Sequence, residues 1–215
     1  MARACLVDVY DTILKSDYIP RAGVLTSFLD VDIDTWEPMW LKTADERGRG
    51  TLSMADSFER TLRDCGIAPT PGLVSELVRM DAELLVAGTQ VYDDTAAFFA
   101  ALRSAGIATA LVSNCSQNTR QMLEKLDLIP LADSVILSCE AGSLKPAPEI
   151  YLRALADLRV TPADAVMVDD QAKFCVGAHA LGMRAIQITR PGLIKPVPDS
   201  AFPVVTSLLD VLPLL

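Results

Sequence analysis

Apolar positions along this chain follow two rhythms. Residues 4–9, 107–112, 134–137 and 165–168 are short runs rich in Val, Ile, Leu and Ala, and 184–188 is a further short run built on Ala185, Ile186 and Ile188. That pattern predicts strands buried on both faces of a parallel sheet. Between most of them the apolar spacing becomes helical, over residues 96–104, 117–126, 149–158 and 172–181, with Gly106 and Gly182 as stop signals. Residues 161–164 read as a turn, and 191–203, rich in proline, as a loop before a short terminal helix. Strands that alternate with helices predict an α/β, doubly wound, Rossmann-like sheet.

One stretch breaks the alternation. From residue 15 to 88, Leu25, Phe28 and Leu29, then Trp36, Met39 and Trp40, then Leu52, Phe58 and Leu62, then Leu73, Leu77, Leu84 and Leu85 recur at helical spacing. Asp34-Thr35, Ser53 and Thr70-Pro71 predict helix starts, and Gly66 a stop. The expected organisation is therefore a core of residues 1–14 and 89–215 interrupted by an all-helical insertion of residues 15–88.

Composition narrows the function. At 215 residues the chain suffices for one core plus a small second lobe. Its 51% hydrophobic content is broken by Asp, Ser and Gly too often for a membrane span, and its start shows no signal core, so a cytoplasmic location is expected. A net charge of −9 with no Lys/Arg run argues against a nucleic-acid partner. The five cysteines are dispersed and never in a CxxC pair, which argues for reduced thiols over disulfides or zinc.

Four clusters carry chemistry, each where an apolar run ends: Asp8, Ser113-Asn114, Lys145 and Asp169-Asp170. The carboxyl ends of parallel strands form the edge where such folds bind ligands, so these side chains are expected in one crevice. Asp8 is the candidate nucleophile, since a carboxylate needs no deprotonating base at neutral pH. Ser113 and Asn114 are suited to hold a phosphoryl oxygen, with a helix N-cap as the alternative. Lys145, in a loop that Pro146 and Pro148 are expected to keep extended, supplies a cation. Adjacent Asp169 and Asp170 need a positive partner, and Mg2+, which takes hard oxygen ligands, meets that need.

The order and wording of these clusters resemble the haloacid dehalogenase (HAD) superfamily, over nearly the whole chain. The resemblance implies a cap formed by the helical insertion. It implies a hydrolase working on a small phosphorylated metabolite through an aspartyl-phosphate on Asp8. It also implies Mg2+ held by Asp8, the Tyr10 carbonyl, Asp169 and Asp170. A monomer or homodimer is expected. One position departs from the phosphatase pattern: Tyr10 stands where the superfamily's phosphatases carry a second Asp, the general acid/base. Asp11, one residue on, is a substitute only if both side chains reach the same side, which alternation in extended chain opposes. The L-2-haloacid dehalogenases of the superfamily carry Tyr there and place a substrate-binding arginine in the cap, the region of Met39, Lys42, Arg47 and Arg49. Dehalogenation by Asp8 is thus the alternative, and a catalytically weak ligand- or partner-binding domain a third.

Overall fold

Alternate side chains of the first strand, β1 (Ala4–Val7), enter two different cores, Cys5 and Val7 on one face and Ala4 and Leu6 on the other. This is what a double-sided apolar run requires. The computed structural model describes residues 2–192 and 202–215. After β1 come β2 (Leu14–Ser16) and five helices, α1 (Tyr18–Leu29), α2 (Ile33–Leu41), α3 (Ala44–Gly48), α4 (Met54–Asp64) and α5 (Pro71–Ala87), followed by β3 (Thr89–Val91). The chain then runs through α6 (Thr95–Ser104), β4 (Ala108–Ser113), α7 (Asn118–Lys125), β5 (Ser134–Leu137), α8 (Ser138–Ala141) and α9 (Pro148–Leu158). It closes with β6 (Ala165–Asp169), α10 (Ala172–Ala180), β7 (Arg184–Ile188), β8 (Val204–Val205) and a 3-10 helix over Leu208–Leu214.

Six strands form one parallel sheet in the order β5-β4-β1-β6-β7-β8, the α/β Rossmann-like architecture expected. One face is covered by Phe98, Phe99 and Leu102 of α6 with Met122 and Leu123 of α7, the other by Ile150, Tyr151, Ala154 and Leu155 of α9. Helices α1, α2, α4 and α5 bury a third, separate cluster around Trp36, Trp40, Phe58, Leu62 and Leu77. Ser53 and Thr70 cap α4 and α5 as expected, their hydroxyls accepting from Asp56 and Leu73 N–H. The first turn of α2 begins earlier than Asp34, with Asp32 before it.

The sequence pattern ran past the end of the first strand. β1 stops at Val7 because the Val9 carbonyl accepts from Thr12, Ile13 and Leu14 and curls the chain. The short antiparallel pair β2–β3, which joins the two bodies, was not legible, nor were α3, α8 and β8, all of five residues or fewer. Of the expected loop at 191–203, residues 193–201 lie outside those described. Among the described residues no helix is long and apolar enough to cross a membrane.

Candidate active site

Strand register assembles the site. β1 lies between β4 and β6, with Val7 paired to Leu111 and to Val168, so Asp8, one residue on, sits level with Asp169. Asp8 N–H still donates to the Val168 carbonyl at 2.9 Å, and its side chain is buried. Lys145 Nζ donates to Asp8 Oδ1 at 2.5 Å and to Asp169 Oδ2 at 2.6 Å, fully enclosed. Burial alone would lower the Lys145 ammonium, but Asp169 and Asp8 outweigh it and hold it above its ordinary value. Burial pushes the Asp169 carboxyl well above the ordinary carboxylate range; Lys145 opposes this, while Asp8 adds to it.

Asp8, Asp169 and Asp170 are all buried, and a ligand oxygen from each lies within 4.8 Å of the others. Three carboxylates against one ammonium leave excess negative charge in a buried place. Such a set fits a divalent cation with hard-oxygen preference. Asp169 Oδ1 is additionally held by Gln171 N–H at 2.9 Å.

The other sequence-selected residues divide by what they touch. Ser113, at the end of β4, is buried, and among the described residues its hydroxyl has no hydrogen-bond partner. It does not cap α7, whose N-cap position is Gln117. The Asn114 amide instead brackets the lysine, Oδ1 accepting from Lys145 N–H at 2.7 Å and Nδ2 donating to the Lys145 carbonyl at 2.8 Å. The Lys145 loop is a tight turn, not extended: Ala147 N–H donates to the Leu144 carbonyl, and Pro148 opens α9. Gly177 of α10 packs there so closely that a Cβ would lie 2.6 Å from Pro146 Cβ.

Tyr10 and Asp11 both line a cavity of about 410 Å³ between the sheet edge and the helical segment. Tyr10 is tied to Thr119 of α7 through a 2.9 Å hydroxyl–hydroxyl hydrogen bond, and burial raises its phenol above its ordinary range. The alternation that separated Asp11 from Tyr10 does not apply, because Asp11 adopts φ 57° in the curled segment. Arg47 lines the same cavity, whereas Lys42 and Arg49 are exposed and paired with Asp64 and Asp45. The glycines beside Arg49 are contact points between the two bodies. A Cβ on Gly48 would lie 2.9 Å from Leu144, and one on Gly50 would overlap the Cys139 carbonyl.

Sequence reasoning missed several supports. Thr12, fully buried, donates from Oγ1 to Asp8 Oδ2 at 3.3 Å; the adjoining Asp8–Asp11 wording was its available signal. The Phe174 ring lies 5.0 Å from Lys145 Nζ. Buried Arg190 donates from Nε to the Thr12 carbonyl at 3.0 Å and pairs with Asp94 at 2.7 Å, a link across 178 residues that no local pattern signals.

A family model described as haloacid dehalogenase-like hydrolase matches residues 2–182. The chain belongs to the haloacid dehalogenase-like hydrolases. Within this family it is 27% identical over 198 residues to a glyceraldehyde 3-phosphate phosphatase of Methanopyrus kandleri, covering 88% of this chain and 85% of that protein. It is 26% identical over 197 residues to (S)-2-haloacid dehalogenase 1 of a Pseudomonas species, covering 87% and 85%. A 2-haloacid dehalogenase from Pseudomonas syringae superposes with a TM-score of 0.75 at 21% identity, covering 99% of this chain and 97% of that one, a likeness of fold. The protein is a HAD-family hydrolase with relatives in both reaction classes.

Proposed function

We propose that this HAD-like hydrolase is a Mg2+-dependent phosphatase of small phosphorylated metabolites, with residues 15–88 as a cap over its cavity. The observation that carries the reading is the cluster of three buried carboxylates, Asp8, Asp169 and Asp170, with one lysine among them. A dehalogenase that ejects halide from a neutral carbon has no use for so much buried negative charge.

Lys145 occupies Asp8 Oδ1, so Oδ2, held by the long Thr12 contact, is the attacking oxygen. It attacks phosphorus as the bond from phosphorus to the ester oxygen breaks, giving an aspartyl-phosphate. Asp11, which lines the cavity, protonates the departing oxygen. It then takes a proton from the water that attacks the intermediate, releasing phosphate and restoring Asp8. The unpartnered Ser113 hydroxyl donates to a phosphoryl oxygen. Mg2+, held by Asp8, Asp169, Asp170 and the Tyr10 carbonyl, would neutralise phosphoryl charge when bound.

Dehalogenation is the second reading, favoured by Tyr10, whose phenol is pinned to Thr119 and too weak an acid for a leaving alkoxide. One comparison separates them: phosphate release from aryl and alkyl phosphates and halide release from 2-haloacids, each with and without Mg2+. Metal-dependent phosphate release is expected, with Asp11→Asn steepening the dependence on leaving-group pKa. Halide release without metal, and no phosphate, would overturn the proposal.

A further inference from the structure

One pair of side chains beside the site takes no part in the reaction above. Strands β4 and β5 run in parallel register with Ser113 beside Leu137, so Cys115 and Cys139 each lie two residues past the last registered pair. Neighbouring strands stand about 4.8 Å apart, inside the Cα spacing of about 4.4–6.8 Å that a disulfide spans. Ser138 clasps the two segments at this point: its hydroxyl accepts from Cys115 N–H at 2.9 Å and donates to the Cys115 carbonyl at 3.3 Å. The thiols themselves are in hydrogen-bonding contact, with Cys115 donating to the Cys139 sulfur.

The remaining cysteines are in different surroundings. Cys5 and Cys175 are buried, and burial pushes both thiols up to about 12, which leaves them inert. Burial raises Cys65 as well. Cys139 goes the other way: the hydrogen bond from Cys115 holds it below its ordinary value, with Arg120 adding to this and burial and Glu140 opposing it. It lies in α8 and is partly open to solvent. The pair also touches the site from two directions. Cys115 lines the cavity and follows Asn114, whose amide brackets Lys145. The Cys139 carbonyl is the surface against which Gly50 of the helical segment packs.

We propose that Cys115 and Cys139 form a reversible disulfide when a hydroperoxide oxidises Cys139, and that this bond slows turnover. The Cys139 thiolate attacks a peroxide oxygen, the O–O bond breaks, hydroxide or alkoxide leaves, and Cys139 becomes a sulfenic acid. The Cys115 sulfur then attacks the Cys139 sulfur and the S–O bond breaks. The Cys115 proton departs with the hydroxyl as water, so two electrons have passed from the sulfurs to the peroxide. A dithiol reverses the change by two exchanges and is itself oxidised to its disulfide. Closing the bond draws the sulfurs from hydrogen-bonding to covalent distance, so the segment after Asn114 or α8 must shift. Either movement disturbs the Lys145 turn or the seat of Gly50. A pair that rests reduced and cycles in this way is a sensor, unlike a structural staple.

The full chain, reduced and freed of reductant, is treated with hydrogen peroxide and then catalase. Its five thiols should fall to three, and mass mapping without reductant should find Cys115 joined to Cys139. Turnover is read on 4-nitrophenyl phosphate with Mg2+ and on 2-chloropropanoate without it, so that the result is independent of which reaction the enzyme performs. It should fall about tenfold or more and return with dithiothreitol. Cys139→Ser should keep its turnover through the same treatment, and Cys115→Ser should accumulate a dimedone-reactive sulfenic acid on Cys139. Cys65→Ser should still form the bond. Five titratable thiols after peroxide, a linkage through another cysteine, or equal loss of turnover in Cys139→Ser overturns the redox pair. A mapped Cys115–Cys139 bond with unchanged turnover overturns its link to the site. Absence of turnover on both substrates would count against the hydrolytic readings, while the thiol count and the mapped bond still decide the pair.

Discussion

Asp8 and Lys145 carry opposite charges in one buried pair, and their removal should have opposite consequences. Asp8 faces Asp169 across the lysine, so Asp8→Asn removes a like-charge neighbour and leaves Lys145 its contact with Asp169. Turnover should vanish while unfolding free energy in denaturant changes by less than about 1 kcal/mol. Lys145→Met instead strands buried carboxylates without their cation and should cost about 3–5 kcal/mol as well as activity. A Lys145→Met protein as stable as the parent in the absence of divalent cations would show that the carboxylates do not need the lysine. Ser113 and Asn114, adjacent in sequence, part ways here. Among the described residues the Ser113 hydroxyl has no hydrogen-bond partner, whereas Asn114 fixes the backbone of Lys145.

At the scale of elements, the Lys145 turn is held from two sides, by Asn114 at the end of β4 and by Gly177 on α10. A methyl at Gly177 would also lie 2.9 Å from the Pro146 carbonyl oxygen, so the turn or the helix must move. Gly177→Ala should therefore lower kcat by about tenfold or more, because misplacing a catalytic group by an ångström has large kinetic effects. Overpacking should also cost about 1–3 kcal/mol of stability. Gly72→Ala on α5 is the control: its Cβ meets nothing within 4 Å, and the change should be neutral or slightly stabilising. Steady-state kinetics and thermal melts of the two variants check this. Equal behaviour of both would mean that the close approach of α10 to the turn does not constrain Lys145.

For the whole molecule, the proposed metal would couple to stability through the buried acidic cluster. If Mg2+ binds the folded state at Asp8, Asp169 and Asp170, a concentration about 100 times its Kd adds about 2.7 kcal/mol. For a chain of this size that is a rise in Tm of about 5–10 °C. Asp169→Ala should abolish the rise, as thermal scans with and without Mg2+ would show. No shift in the unmodified protein would remove the metal from the proposal. The same scale explains Arg190: its contacts to Thr12 and Asp94 tie the segment after Asp8 to the end of the sheet, beside the β2–β3 link between the two bodies.

What the sequence by itself determined was local and periodic. Apolar runs set the parallel strands, helical spacing set the insertion, and strand-end positions marked Asp8, Ser113 and Asp169, because the ends of parallel strands must converge on one edge; Lys145, expected at such an end, instead lies in the turn between α8 and α9, because the chain forms α8 directly after β5. Tertiary structure decided what depends on neighbours remote in the chain. Asn114 belongs to the lysine turn because β4 ends beside residue 145. Asp11 lines the cavity because the chain curls at Val9 instead of continuing as a strand. Arg47 is buried and has no carboxylate partner among the described residues, while Arg49, two residues away, is solvated and paired with Asp45, a difference set by the packing of Arg47 on Trp40. Periodicity records which face of an element is apolar, but the charge that meets a charge there is chosen by contacts across tens of residues, which no local pattern encodes.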